Sequence, residues 1–584
     1  MTIEQNWAGA AEESTGARAR WQRTDQTKIL TIVLAVILGV LVVPPAIILA
    51  VRSFSITNPD ASIGGWTFTH YLRFFANADL YQSLFNSLVF AVFSTIVALL
   101  FGGTLAWLVE RTNTRFKALA YVTTVISMGT PYILYVSAWL FLLGRSGPLN
   151  DAWRGLTGTR QVLFDPYSLL GMILIEGFLW SPLVFLLLSS TFRSANADLE
   201  EAARMSGAGV LRTVWSISIK MATPAIAALA LFVFIRAIEA FEVPAIVGMP
   251  GNVNVLTTDV YKSIKESIPP DLGFASAYSV VLLVAVAILL HYYGKLSRNA
   301  GRYSTVTGKG YRPRQFDLGR WRMIGDALVI FNFMIVLVLP LVALLWLSLL
   351  PYMQPMRVAG FANFSFENFV TVLSSQYYRT LAVNTLIVGA VAATVAMILA
   401  LFTGWLSARR RPGGQLIDQL ATMPLVFPGI VMGVAFLMIF LAVPLPIYGT
   451  LWALAIAYTV RYLPYGLRYT YAGVLQISNE LEEAAGASGA TPLQGLRRIV
   501  APLLSPALLS GWLFIFLIST KELAVAVLLA GPSSPVVAVG MYDLWVNGQG
   551  GELAAFGLIW AAVMTLVASI FYFAGGRTGR TAVH

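Results

Sequence analysis

Long apolar runs, each closed by a short polar stretch, divide the chain into two sets of six. They fall at about 29–51, 82–108, 119–143, 167–190, 222–244 and 273–293, and again at about 324–350, 380–407, 419–442, 450–472, 505–529 and 553–575. About 20 apolar residues in a helix cross a hydrocarbon core of roughly 30 Å. The short alternating strands of a β-barrel are absent. The pattern therefore predicts an all-α polytopic membrane protein with about twelve transmembrane helices. Pro44-Pro45 should kink the first span, which a bundle tolerates where neighbours satisfy the freed carbonyls.

The polar stretches also repeat. Leu199-Glu200-Glu201-Ala202-Ala203 returns as Leu481-Glu482-Glu483-Ala484-Ala485, 282 residues later, and 12 of the 28 residues from 199 are identical in that register. Asn86 and Trp107 return as Asn384 and Trp405 at an offset of 298, and Pro182 returns as Pro464. Self-similarity at half the chain length predicts duplicated halves. Because six spans is an even number, the halves share one orientation and are parallel repeats. The expected division is a tail at 1–28, a first half at 29–293 with its paired-Glu loop at 191–221, a linker at 294–323, a second half at 324–575 with its loop at 473–504, and a tail at 576–584.

Composition agrees: 57% of residues are hydrophobic and 11% charged, with a mean hydropathy of +0.73, against about 25% charged in soluble domains. With the N-terminus in the cytoplasm, 26 Lys and Arg fall in cytoplasmic segments and 9 in external ones. That bias sets orientation and accounts for the net charge of +11 without a nucleic-acid partner. Both termini and both paired-Glu loops are then cytoplasmic. The length and acidity of residues 1–28 argue for an uncleaved anchor. The basic linker, with Arg302, Lys309, Arg312 and Arg314, reads as a topological anchor on anionic headgroups, with a regulatory site as the alternative. There is no cysteine, and the three histidines, His70, His291 and His584, are scattered. No metal site is expected.

In each paired-Glu loop the Glu-Ala-Ala run favours a short helix, and Gly207 or Gly489 should end it in a sharp turn. Glu201-Ala202-Ala203 with Gly207, and Glu483-Ala484-Ala485 with Gly489, resemble the EAA motif of the membrane subunits of type I ABC importers. The closing Ile-x-Leu-Pro of that motif is approximated by Ile499-Val500-Ala501-Pro502, whereas Lys220 replaces the proline in the first loop. The resemblance implies the type I importer permease fold and two loops that dock on a cytoplasmic ATPase dimer. It assigns ATPase coupling to Glu200, Glu201, Ala202, Ala203 and Gly207, and to Glu482, Glu483, Ala484, Ala485 and Gly489. It also implies an external substrate-binding protein. Gly308-Lys309-Gly310 lacks the rest of a phosphate loop, so ATP and Mg are expected on the partner and no cofactor on this chain.

Ionisable residues within spans are costly and call for partners or a path. Arg236, Glu239 and Glu242 are expected on one face of span five, Lys521 and Glu522 on span eleven, and Glu176 and Arg461 on spans four and ten. They either neutralise one another or line a translocation path. Tyr132, Tyr135 and Tyr465 are expected to pack. The fused two-half form and Phe241-Glu242-Val243-Pro244 most resemble permeases of ferric-iron importers; thiamine, 2-aminoethylphosphonate, sulfate and polyamines are alternative cargoes. A twelve-span secondary transporter is the alternative of another class.

Overall fold

Main-chain polar groups cannot reach water inside a bilayer, so the apolar runs close their hydrogen bonds within helices. The computed structural model describes residues 4–57, 63–194, 198–300, 315–352, 354, 356, 358–443 and 446–580. Over these the chain is helical, with one short antiparallel hairpin, Ser55–Thr57 with Ile63–Trp66. Among the described residues nine continuous helices are long and apolar enough to cross a membrane, and two bent pairs raise the number to eleven. The expected twelfth is Leu451–Gln476, which has the length but carries Arg461, Arg468 and several tyrosines. Most of its central residues are buried in protein, so lipid does not set its composition.

The bent pairs correct the expectation of continuous spans at 119–143 and 419–442. Lys117–Ser127 meets Tyr132–Thr157 at 113°, and Gly414–Val426 meets Gly429–Ala442 at 107°. Pro131 and Pro428 follow the breaks, and Thr130 and Phe427 before them are extended, the conformation that proline imposes on its predecessor. The limbs beyond, Tyr132–Leu143 and Gly429–Ala442, are apolar all round and buried for most of their length, as interior helices are. By contrast, the first helix, Glu4–Ser53, runs on through Pro44-Pro45 and takes in most of the expected N-terminal tail.

Spans five and eleven stop short of prediction, at Ile238 and Ser519. Beyond them the chain folds back, and the segments read as simple external loops contain the helices Leu256–Lys265 and Val537–Val546. Span two of each half, Ala78–Arg111 and Gln376–Ala408, holds the start of the fold-back helix. Asn86 Nδ2 donates to the Asn254 carbonyl at 3.0 Å, and Ser87 Oγ accepts from Leu256 N at 3.0 Å. In the second half Asn384 Nδ2 donates to the Pro535 carbonyl at 2.9 Å, and Thr385 Oγ1 accepts from Val537 N at 2.8 Å.

The halves interlock through their first spans. Leu34 and Leu38 pack in a core with Leu399, Trp405, Ile417 and Leu463 of the second half. Reciprocally, Leu318 and Val329 join Leu105, Leu108 and Val109 of the first. Residues 301–314 of the basic linker lie outside the described residues, but its end pairs with the end of span two, where Phe316 N donates to the Arg111 carbonyl at 2.6 Å.

Within each half, span two packs along span four. Gly102 makes this approach possible, because a Cβ there would stand 2.4 Å from the Ser181 carbonyl oxygen and 2.7 Å from Val184 Cβ. Gly102→Val is expected to separate the two helices and destabilise the protein by about 1–3 kcal/mol, read as a lower melting midpoint in detergent. Gly39→Ala, where a Cβ meets nothing within 4 Å, should leave the midpoint unchanged.

The fold-back helix carries Asp259, half-buried, whose carboxyl is pushed up to about 6 by burial against the opposing pull of Ser83 and Lys262. An acid raised above its unfolded value of about 3.9 costs stability when ionised. That cost is present above pH 6 and is relieved as pH falls through 6 toward 4. The midpoint should therefore gain from Asp259 on going from pH 7 to pH 5, and Asp259→Asn should remove that part of the slope.

Candidate functional site

The two paired-Glu loops fold alike. The helix Asp198–Met205 is followed by Gly207 at φ +81°, a short helix Val210–Thr213, a π turn Val214–Ser218 and span five, Ile219–Ile238. In the second half Asn479–Ala487, Gly489 at φ +87°, Pro492–Gly495 and a π turn at Leu496–Val500 lead into Ala501–Ser519. The π turns coincide in the 282 register. Each glycine is left-handed and ends its helix, and the next residue, Ala208 or Ala490, donates to Ala203 or Ala485 at 3.0 and 2.9 Å. Nothing would crowd a Cβ at either glycine, so backbone conformation alone favours glycine there.

The glutamates of each pair point different ways. Glu200 is buried: Arg111 donates to it through Nε at 3.0 Å and through Nη2, and Ser218 Oγ donates at 2.7 Å. Glu482 accepts from Arg409 Nε at 2.7 Å and from Trp405 Nε1 at 3.1 Å. Glu483 is exposed and Glu201 half-buried, as are Ala485 and Ala203, while Ala202 and Ala484 are exposed. One buried oxygen of Glu201, Oε1, has no partner among the described residues. Thus Glu201 and Glu483, with the alanines, form the outward surface, while Glu200 and Glu482 tie the loops to span two. Sequence reading passed over Arg111 and Arg409, although they stand at the 298 offset, four residues beyond Trp107 and Trp405.

Between the halves lies a cavity of about 1910 Å3. All seven residues proposed for a path, Glu176, Arg236, Glu239, Glu242, Arg461, Lys521 and Glu522, line it, although they come from four separate spans. Several of these cavity-lining charges are also paired with one another. Arg236 Nη1 lies 2.7 Å from Glu239 Oε2, and Arg461 Nε lies 3.0 Å from Glu522 Oε2. The Tyr462 hydroxyl also donates to Glu522, and Trp180 Nε1 donates to Glu176 at 2.9 Å. Lys521 Nζ sits 4.9 Å from the centre of the Tyr132 ring, a cation–π distance. Glu242 makes no ion pair among the described residues.

One expectation changes. Arg236, Glu239 and Glu242 do not share a helical face, because the helix ends at Ile238 and Glu242 lies beyond the break. Lys521 and Glu522 likewise follow the end of their helix. Irregular backbone at membrane depth is tolerated where it lines a cavity, and the free helix ends bring main-chain and side-chain polar groups to one place. Tyr132 and Tyr465 line the cavity rather than only packing, whereas Tyr135 is buried in the core.

A family model described as "Binding-protein-dependent transport system inner membrane component" matches residues 98–299 and again residues 396–577. The ferric transport system permease protein FbpB of Actinobacillus pleuropneumoniae is 25% identical over 511 residues, 87% of this chain and 73% of that protein. The putative ferric transport system permease protein FbpB 1 of Haemophilus influenzae is 27% identical over 454 residues, 75% of this chain and 68% of that protein. The spermidine/putrescine transport system permease protein PotB of Salmonella typhi is 27% identical over 281 residues, 47% of this chain but 95% of PotB.

The Arg461–Glu522 pair offers a direct test of the cavity's electrostatics. Arg461→Met leaves Glu522 buried without its cation, a loss expected to cost about 3–5 kcal/mol, whereas replacing both members of a buried pair is often nearly neutral. The melting midpoint should fall sharply in Arg461→Met and recover much of the way in Arg461→Met/Glu522→Gln.

Proposed function

Because the chain belongs to the family of binding-protein-dependent transport system inner membrane components, and is a transport subunit rather than an ATPase, we propose that it is the two-half permease of an importer for ferric iron. The family match covers both halves, makes the protein a multi-pass component of the inner membrane, and sets aside the secondary transporter that the helix number alone allowed. Its partners are an ATPase and a substrate-binding protein. In this reading the ATPase is a dimer holding ATP and Mg, and each subunit receives one paired-Glu helix through Glu201 or Glu483 and the flanking alanines. The termini and the loops lie on the cytoplasmic side, and the cavity is the translocation path.

The observation that carries the cargo is the similarity to two ferric transport permeases over most of the chain. The cavity chemistry is compatible with it, since Glu176, Glu242, Tyr132 and Tyr465 offer the oxygen donors that a hard cation prefers. Among the described residues no three His, Cys, Asp or Glu side chains are arranged to hold a metal ion. A ferric ion in transit thus meets oxygen donors singly, and selection rests with the binding protein. A polyamine is the second reading, carried by the match of one half to PotB.

The test is uptake into proteoliposomes holding this chain with its ATPase, supplied with the binding protein and either ferric iron or spermidine. ATP-dependent uptake of iron, and a fall of about tenfold or more in Glu201→Ala/Glu483→Ala, a typical size for a coupling between sites, are expected. Uptake of spermidine but not iron overturns the cargo. Undiminished uptake in the double variant overturns the role of the two outward glutamates.

A further inference from the structure

Each half ties its paired-Glu helix to its fold-back helix by matching contacts, and the path runs through span two. At one end Arg111 holds Glu200, and Arg409 holds Glu482. At the other end Asn86 and Ser87 hold the start of Leu256–Lys265, and Asn384 and Thr385 hold that of Val537–Val546. Arg111 follows Asn86, and Arg409 follows Asn384, by 25 residues in both halves, or about 37 Å of α-helix. Each helix is unbroken between those points, in contrast to spans three, five, nine and eleven.

The far contacts lead on to the cavity. Thr257 Oγ1 donates to the Ala240 carbonyl at 2.6 Å, between Glu239 and Glu242. In the second half, Thr385, Val536 and Ala538 border a small gap with Thr520 and Glu522.

We propose that span two of each half is a tie rod, with Arg111 and Arg409 as the positioning residues that carry movement of the paired-Glu helix to the fold-back helix and the cavity wall behind it. The physical basis is stiffness joined to cost. A helix whose hydrogen bonds are intact moves as a body. Parting either terminal contact leaves a buried carboxylate or a main-chain N–H without its partner, which is expensive in a medium that offers no substitute. The fork of an arginine fixes direction as well as charge. Movement of the paired-Glu helix therefore drags span two rather than parting from it. The proposal rests on the ATP-driven reading above.

The absence of cysteine allows spin labels at Lys265→Cys and Val546→Cys, both exposed. Their separation would be measured by pulsed electron resonance in the importer assembled with its ATPase and binding protein, with and without a non-hydrolysable ATP analogue. The labelled parent should show a nucleotide-dependent change in distance. That change should be lost in Arg111→Met/Glu200→Gln combined with Arg409→Met/Glu482→Gln, with uptake down about tenfold or more, and should return in part with Arg111→Lys and Arg409→Lys on native glutamates.

Asn86→Ala/Ser87→Ala combined with Asn384→Ala/Thr385→Val cuts the same path at its far end and leaves the paired-Glu helices untouched, so it decides the matter if the arginine variants do not assemble. It should keep co-purification with the ATPase and nucleotide binding yet lose the distance change. A change of parental size in either set of variants overturns the tie rod. No response to nucleotide in the parent would instead count against the ATP-driven reading.

Discussion

Every main-chain N–H and C=O within the membrane must find a partner inside the protein, and this one requirement decides where the chain can bend. Spans two of both halves remain unbroken. Spans three, five, nine and eleven break, each where other helices or the cavity supply what lipid cannot. The charged residues gather at those breaks for the same reason: an open helix end already demands polar company, so Glu239 meets Arg236 there, and Glu522 meets Arg461 and the Tyr462 hydroxyl. Geometry that would be too costly facing lipid becomes the wall of a cavity.

The interlocked first spans set a second constraint. With Leu34 and Leu38 in the second half's core, and Val329 in the first half's, neither half can rotate away without opening a buried apolar surface. The paired-Glu helices are fastened to span two by Arg111 and Arg409.

Much of this was legible in the chain. The apolar runs located the helices, the two offsets located the repeat, and the cost of buried charge picked out seven residues that share one cavity. What escaped was where a run stops spanning. An apolar stretch of 25 residues reads the same whether it crosses lipid or turns back inside protein. Proline does not decide it either: the chain breaks before Pro131 and Pro428 but stays helical through Pro44-Pro45, Pro182 and Pro464. The run at 450–472 was legible as apolar although Arg461 and Arg468 interrupt it and lower its mean hydropathy. Arg111 and Arg409 were visible at the 298 offset, but an arginine at the end of a span reads as an ordinary topology signal.

The two halves have not kept the same things. The glycine turns, the π turns, the arginine ties and the Asn-Ser or Asn-Thr caps are duplicated position for position. The cavity charges are not: in the 282 register Glu239 corresponds to Lys521, Ala240 to Glu522, Leu179 to Arg461 and Glu176 to Tyr458. A permease assembled from two identical subunits would repeat each residue across its axis, so a glutamate at position 239 would bring a second carboxylate into the same low-dielectric space, where like charges suppress one another's ionisation. Joining the halves in one chain removes that restriction. Opposite charges then stand at equivalent positions, Glu239 and Lys521, and the cavity is asymmetric while the paired-Glu loops and their ties to span two stay symmetric.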